Sequence, residues 1–218
     1  MNSKIAKQYL ILKDHPILYY SLKAFEISNV DNIVLVIAKD EMEFCKENII
    51  KKYGLNKVSK IVVGGDERYD SVYKALLEVS DSDYVLIHDG VRPLIEVEDI
   101  NEMIDYLVNK GPCIFGVPAK ETMKIINEEE YVENTPIRNN LWVAQTPQSF
   151  EYKLLKRAYE LMYNDEMNIQ IITDDSSVYE RYIKKPVKVL LGKYSNIKVT
   201  IPEDIVVAEE YIKNTNKS

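Results

Sequence analysis

The sequence predicts an α/β fold in which a mostly parallel sheet carries helices on both faces. Short apolar, β-branched runs alternate with segments of helical periodicity along the chain. The composition is 46% hydrophobic, which is enough for a substantial core. A length of 218 residues suits one large core, so we expect a single domain over residues 1–218.

The first predicted elements are a helix, a strand and a second helix. Pro16 is typical of a first helical turn, and the apolar residues after it recur on one helical face. Residues 32–39 form an apolar run typical of a strand buried on both sides. Asp40 and Glu43 match a capping box, and Gly54 stands where we expect the second helix to end.

Two strands that each lead into a polar loop come next. Residues 60–63 and 84–88 are predicted strands, with a helix over 71–79 between them. In open α/β sheets, ligands bind outside the carboxyl ends of the strands. The loops at 64–71 and 88–93 are therefore the predicted site.

A helix near 97–110 and a strand near 113–118 precede a polar stretch, residues 120–140. Alternating residues at 123–126 and 131–133 favour a β-hairpin there. Because a two-stranded ribbon is marginal alone, we expect this protruding arm to pack on a second subunit in a homodimer. The alternative is a mobile surface loop.

The opening of the chain lacks an expected feature. A doubly wound nucleotide-binding fold normally begins with a strand and a glycine-rich turn that approaches the phosphates. Residues 1–8 are polar and contain no glycine. We therefore expect that the first strand and its loop are absent from these residues, and that the natural protein has further residues upstream.

Charge and cysteine content exclude several classes of protein. The net charge of -7 argues against a broad basic surface for nucleic acid. Cys45 and Cys113 lack metal-ligand spacing and are expected to be buried thiols in a reducing cytoplasm. The apolar runs are too short to span a bilayer, so we expect a soluble protein with no membrane partner.

Asp89 and Arg92 are candidates on the chemistry of their side chains alone. A carboxylate that closes a buried strand is costly unless it meets a cation, a metal ion or a substrate hydroxyl. Arg92 can hold a phosphate through two hydrogen bonds. His88 is better explained as a hydrogen-bonded core residue than as a catalyst. Lys7 and Lys198, taken alone, are better explained as surface charges.

Five motifs stand in order along the chain: Ala6-Lys7-Gln8, residues 64–72 (GGDERYDSV), 88–93 (HDGVRP), 145–148 (QTPQ) and 196–200 (NIKVT). Together they resemble the 2-C-methyl-D-erythritol 4-phosphate cytidylyltransferase family. The resemblance implies a dimeric Rossmann-like fold. It also implies a Mg²⁺-dependent attack of a sugar-alcohol phosphate on the α-phosphorus of CTP, with release of pyrophosphate.

The resemblance also implies roles for individual positions. It assigns catalytic cations to Lys7 and Lys198, and assigns substrate binding in trans, across the dimer, to Thr122 and Arg138. The remaining positions are assigned to CTP (Gly65, Asp66, Ser71 and Gly90), to substrate binding (Asp89, Arg92 and Thr146) and to the metal (Asp89).

Two other residues and one short segment are predicted to be structural. Arg68 is expected to be an ion-pair partner, and Trp142 a core residue. Residues 173–175 (TDD) match the N-cap of a helix rather than a metal site.

Two rival functions stay open at this point. One is a pentose-5-phosphate cytidylyltransferase acting on ribitol or ribulose phosphate, which shares the fold and several motifs. Residues 141–142 (LW) and 122–124 (TMK) favour the erythritol phosphate enzyme. The other is a non-catalytic nucleotide-binding dimer, which the absence of the glycine-rich loop would permit.

Overall fold

A computed structural model describes residues 6–165 and 172–215. The strands are β1 (Ile11–Leu12), β2 (His15–Pro16), β3 (Ile33–Ile37), β4 (Val58–Val63), β5 (Tyr84–Ile87), β6 (Cys113–Pro118), β7 (Ile125–Ile126), β8 (Val132–Asn134), β9 (Trp142–Glu151) and β10 (Lys188–Leu191). The helices are α1 (Ile17–Ile27), α2 (Met42–Cys45), α3 (Arg68–Glu78), α4 (Val97–Lys110), α5 (Tyr152–Tyr163), α6 (Asp175–Ile183) and α7 (Pro202–Thr215).

The main sheet has four strands in the order β10-β6-β9-β5. Strands β5, β6 and β10 run in one direction, and β9 runs antiparallel to both of its neighbours. The predicted α/β class is confirmed. The sheet is mixed because β9, which the sequence analysis did not identify, returns between β5 and β6.

The second sheet is the parallel pair β3 and β4. Among the described residues, β3 pairs only with β4, and β5 pairs only with β9. A cleft of about 1370 Å³ separates the facing edges of β3 and β5. Its walls include the apolar side chains of Val34, Val36, Val85 and Leu76, and its mouth lies at the loops that follow β4 and β5.

Helices cover both faces of the main sheet, as predicted. Ile114 and Phe150 pack on one face against α3, α5 and α6. The neighbouring side chains Cys113 and Phe115 point to the opposite face and pack against Met103 of α4. This alternation follows from the two-residue period of a strand. Both cysteines are buried and free.

The arm contains the predicted hairpin. Strands β7 and β8 pair antiparallel, with Ile125 opposite Asn134 and Ile126 opposite Val132. Several apolar side chains of this region are exposed, including Tyr131 at 69% and Ile137 at 70%. Packing of the arm on a second subunit stays a prediction.

Two local predictions are wrong. Asp40 and Glu43 form no capping box: residues Lys39–Glu41 make a 3-10 turn, and α2 continues into the π-helical segment Lys46–Lys51. Trp142 is not a core residue, because it is 43% exposed at the start of β9 beside the arm.

Other helix boundaries follow the sequence more closely. Gly54 ends the second helical segment with a φ of 61°. Helix α3 begins at Arg68, ahead of the predicted residue 71, because Glu67 and Asp70 form a reciprocal capping box. The predicted cap of α6 is confirmed, with Asp174 accepting from the Ser177 N–H at 2.9 Å. No helix in the described ranges is long and apolar enough to cross a membrane.

Candidate active site

The mouth of the cleft brings together most of the residues that the sequence analysis selected. It lies where the loops after β4 and β5 meet the turn at Lys7–Tyr9 and the segment before α7. The residues at this mouth are Lys7, Gly65, Asp66, Arg68, Ser71, Asp89, Gly90 and Lys198.

Asp89 lies at the centre of a cluster of cations. Its Oδ2 is 3.2 Å from Arg92 Nε and 3.2 Å from Lys198 Nζ, and its Oδ1 is 3.7 Å from Arg68 Nε. The Asp89 side chain is only 14% exposed. Burial alone would raise the pKa of Asp89, but the charges of Lys198, Arg68 and Arg92 outweigh burial and lower it. The carboxylate therefore stays ionised.

Lys198 reaches Asp89 from a loop and not from a strand face. Residues 197–199 form no regular strand, but the Val199 N–H donates to the Val91 carbonyl at 2.8 Å. Asn196 Nδ2 donates to the Thr146 carbonyl at 2.9 Å, and Arg92 Nη1 donates to the Asn196 carbonyl at 2.8 Å. These bonds fix the loop beside β5. The Lys198 side chain is 39% exposed, so its ammonium faces both Asp89 and solvent.

His88 and Thr146 hydrogen-bond with the backbone of the residues around Asp89. His88 Nε2 lies 3.3 Å from the Arg92 carbonyl, which can only accept, so Nε2 carries the proton. Nδ1 then accepts from the Thr146 hydroxyl at 3.0 Å, while Thr146 Oγ1 accepts from the Asp89 N–H at 3.1 Å. Burial lowers the pKa of His88 to about 4. His88 is thus a neutral, hydrogen-bonded residue, as predicted.

The segment after β4 is held in a tight turn. The Gly65 N–H donates to Ser71 Oγ at 3.0 Å. A Cβ on Gly65 would lie 2.1 Å from Asp70 Cβ, so only glycine fits without movement of the start of α3. Asp66 is exposed at the rim.

The other predicted residues lie at different distances from this cluster. Lys7 is placed at the same mouth, where its neighbour Gln8 donates to both carboxylate oxygens of Glu41 at 3.1 and 2.8 Å. Thr122 and Arg138 are exposed on the arm and do not line the cleft. Their predicted role in trans is a proposal about a second subunit.

A buried acid beside Arg68 was missed by the sequence analysis. Arg68 Nη2 lies 2.5 Å from Asp175 Oδ2, which confirms the predicted ion-pair role of the arginine. Asp175 is fully buried, and Tyr159 Oη donates to its other oxygen at 2.6 Å. The sequence offered no signal for this partner, because Asp175 follows a helix cap 107 residues from Arg68.

The donor set fits a magnesium ion only if the ligand's phosphates supply most of the coordination. The described residues contain no cluster of three or more histidine, cysteine or acidic side chains that could hold a metal. Mg²⁺ is usually bound by one or two carboxylates together with substrate phosphates and water. Asp89 meets that requirement, since 3.7 Å from Arg68 to Oδ1 is longer than a hydrogen bond.

Comparison with known proteins identifies the family. A family model described as IspD, 2-C-methyl-D-erythritol 4-phosphate cytidylyltransferase, matches residues 1–214. Proteins with that enzyme name include one from Lachnoclostridium phytofermentans, 46% identical over 98% of this chain and 91% of that protein. Another, from Alkaliphilus oremlandii, is 46% identical over 95% of this chain and 87% of that protein.

A solved structure agrees with these sequence matches. The 4-diphosphocytidyl-2C-methyl-D-erythritol synthase of Anaerococcus prevotii superposes with a TM-score of 0.85 and 34% identity, over 97% of this chain and 92% of that one. The Francisella tularensis 2-C-methyl-D-erythritol 4-phosphate cytidylyltransferase gives a TM-score of 0.80 and 28% identity, over 94% and 93% of the two chains. The chain therefore belongs to the 2-C-methyl-D-erythritol 4-phosphate cytidylyltransferase family.

Proposed function

We propose that this chain transfers CMP from CTP to 2-C-methyl-D-erythritol 4-phosphate and releases pyrophosphate, a step of isoprenoid precursor biosynthesis. Family membership makes it a nucleotidyltransferase. The observation that carries the proposal is the group of cations around Asp89 at the mouth of the cleft, next to the glycine turn. Such a site can hold two anionic phosphates together.

The chemistry needs positive charge more than it needs a base. An oxygen of the sugar-alcohol phosphate forms a bond to the α-phosphorus of CTP, and the bond from that phosphorus to the β-phosphate oxygen breaks. The leaving group is pyrophosphate. Because a phosphate monoester is already anionic, no side chain has to remove a proton, which agrees with a neutral His88.

Lys7, Lys198 and Arg92 are the residues we assign to the phosphates. Negative charge grows on the equatorial and leaving oxygens as the phosphorus becomes five-coordinate, and fixed cations stabilise that charge. Lys198 is half-exposed and anchored by Asp89, so its ammonium is oriented yet accessible. Arg92 is held by Asp89 and by the Asn196 carbonyl, and its side chain is only 12% exposed.

The glycine turn is the proposed site for cytosine and ribose. Cytosine is small enough to be recognised by backbone groups and a few polar side chains, and Gly65 and Asp66 line the mouth of the cleft. We assign Gly65, Asp66, Ser71 and Gly90 to CTP. Asp89, with Thr146 behind it, is assigned to the sugar-alcohol or ribose hydroxyls.

A bound Mg²⁺ would neutralise phosphate charge and orient the triphosphate. Asp89 is the residue that would hold it. Loss of turnover in the presence of EDTA, restored by added Mg²⁺, is the expected behaviour.

The arm supports the further proposal of a homodimer. Its exposed apolar side chains form a surface that a second copy would cover, and this would bring Thr122 and Arg138 towards the partner's substrate.

The free, buried thiols of Cys45 and Cys113 suit a reducing cytoplasm. We propose that residues 1–218 form one nucleotidyltransferase domain of that dimer.

Pyrophosphate release measured with purified protein tests the proposal. We expect turnover with CTP and 2-C-methyl-D-erythritol 4-phosphate, and none with ribitol or ribulose 5-phosphate. Lys198→Met should lower kcat by about a hundredfold to a thousandfold, as loss of a transition-state cation does. Lys193→Met is the matched control, because Lys193 has similar exposure but pairs with Glu96 and Asp99 away from Asp89.

Two results would contradict this assignment. Turnover with a pentose 5-phosphate alone would replace the acceptor, and CTP binding without pyrophosphate release would leave only a nucleotide-binding dimer. Equal losses in the two lysine variants would remove Lys198 from the chemistry.

A further inference from the structure

Arg68 joins two acids that belong to different parts of the fold. It is the first residue of α3, directly after the capping residue Glu67. Its Nη2 pairs with Asp175 at the start of α6, and its Nε faces Asp89 at the end of β5. The guanidinium therefore lies between the site and the helical layer behind it.

The inner half of this link is rigid. Asp175 is fully buried, and its two oxygens are occupied by Arg68 and by the Tyr159 hydroxyl. Tyr159 is itself fully buried in the core formed by α3, α5 and α6. A buried carboxylate is costly unless it is paired and hydrogen-bonded, so this partnership holds the arginine in one orientation.

The outer half of the link is looser. Arg68 Nε is 3.7 Å from Asp89 Oδ1, an ion-pair separation without a direct hydrogen bond, whereas Arg92 and Lys198 each lie 3.2 Å from Oδ2. Charge on three sides fixes the rotation of the carboxylate. Without Arg68, both oxygens would be free to turn towards Arg92 and Lys198 alone.

We propose that Arg68 is a positioning residue: anchored on Asp175, it holds the Asp89 carboxylate in the rotation that keeps the Lys198 ammonium directed at the mouth of the cleft. The role depends on two contacts at once, because an arginine fork presents several donors in a fixed plane. A lysine at position 68 would keep the charge but could not bridge the two acids in this plane. The inference rests on the proposed function of Lys198 and Asp89.

Steady-state kinetics of matched variants test this role. We expect Arg68→Ala and Asp175→Asn each to lower kcat by about tenfold or more, with the KM for CTP changed less than about threefold. The double variant should be no slower than the worse single variant, because the two residues act as one unit. Arg68→Lys should retain part of the lost rate, and added guanidinium should partly restore Arg68→Ala.

Tyr179→Phe is the control for a purely structural effect. Tyr179 is fully buried in the same helix as Asp175 and donates to Glu151 at 2.9 Å, away from the site. It should lower stability and leave kcat within about twofold. If Arg68→Ala behaves like Tyr179→Phe, the positioning role is wrong. A rise of tenfold or more in the KM for CTP would instead show that Arg68 contacts the nucleotide, and would also overturn it.

A crystal structure of the Arg68→Lys variant separates this inference from the proposed function. Even if the unmodified protein showed no turnover, the position of the Asp89 carboxylate in the variant would still test the role of Arg68. We expect Asp89 to be rotated and its separation from Lys198 to differ from 3.2 Å in the variant. An unchanged carboxylate would refute the inference whatever the activity of the protein.

Discussion

The four-stranded sheet and the β3–β4 pair are built in different ways. Strand β9 pairs with β5 and β6 along its length and makes the larger sheet continuous from β10 to β5. The β3–β4 pair has its own core, with Leu35, Cys45 and Ile49, and faces the larger sheet across the cleft. Thr146 lies in β9 of the larger sheet, and Asp89 and Arg92 lie in the loop after its strand β5. Gly65 lies in the loop after β4 of the smaller sheet, so the site spans both.

The two halves of the site are therefore held in place by different parts of the fold. The segment that carries Asp89 and Arg92 is fixed by hydrogen bonds to Thr146 of β9 and to the loop at Asn196. The glycine turn is fixed by α3, which packs against both the β3–β4 pair and α5. Helix α3 and Arg68 thus connect the two halves.

The largest expected effect is on the free energy of unfolding, and one leucine-to-alanine substitution in each part of the fold tests it. Leu155 is fully buried in the core of the larger sheet, whereas Leu35 is 8% exposed in β3 and lines the cleft. We expect Leu155→Ala to lower the free energy of unfolding by about 3 to 5 kcal/mol. Leu35→Ala should lower it by only about 2 kcal/mol, because Leu35 already borders the open space of the cleft.

Urea unfolding of the two variants measures these differences. Equal losses would show that the cleft is closed in solution and that the two halves form one continuous core.

Acid should weaken the larger sheet through His88. Its folded pKa of about 4 lies below the ordinary value of 6.5, so the unfolded chain binds the proton more readily. The contribution of His88 to stability is fully present when the pH is above the pKa of His88 in the unfolded chain. It is lost as the pH falls from there towards the pKa of His88 in the folded protein. Between about pH 7.5 and about pH 5 this loss amounts to about 2 kcal/mol.

Urea titrations at the two pH values measure the effect. His88→Asn should remove most of the difference between them. An equal pH dependence in the variant would mean that other groups cause it.

The smallest expected effect concerns the glycine turn. Gly65→Ala would force Asp70 and the start of α3 to move, and we expect the KM for CTP to rise about tenfold with kcat changed less. Gly54→Ala is the control in the same half, since its φ of 61° costs about 1 kcal/mol of stability with no atom in the way of the new methyl group.

Initial-rate measurements over a range of CTP concentrations decide this point. A fall in kcat alone for Gly65→Ala would place the turn at the phosphates, on the other side of the site.

Local patterns predicted the helices and the shorter strands well. The helix Val97–Lys110 and the strand Cys113–Pro118 have the predicted bounds, because periodicity, a glycine and a proline mark their ends. Strand β9 was not predicted: its residues 145–148 (QTPQ) are polar, and they are buried because they hydrogen-bond with the loops of the site. Tertiary contacts decide such a segment.

The candidate site was predictable where a motif carried it, and not where long-range contacts did. Asp89, Arg92 and Lys198 were selected from the sequence, and the structure places Arg92 Nε and Lys198 Nζ each 3.2 Å from Asp89 Oδ2. Asp175 could not be selected, because its importance depends on an arginine distant in the chain. The exposure of Trp142 depends on the arm beside it, which no local pattern reveals.

The cleft also has a consequence for how the protein behaves at high concentration. Strands β3 and β5 each pair on one side only among the described residues, so two rows of amide and carbonyl groups face an apolar opening. Unprotected strand edges of this kind serve as templates for other chains. We therefore expect further association through this opening, in addition to the proposed dimer, as the protein concentration rises.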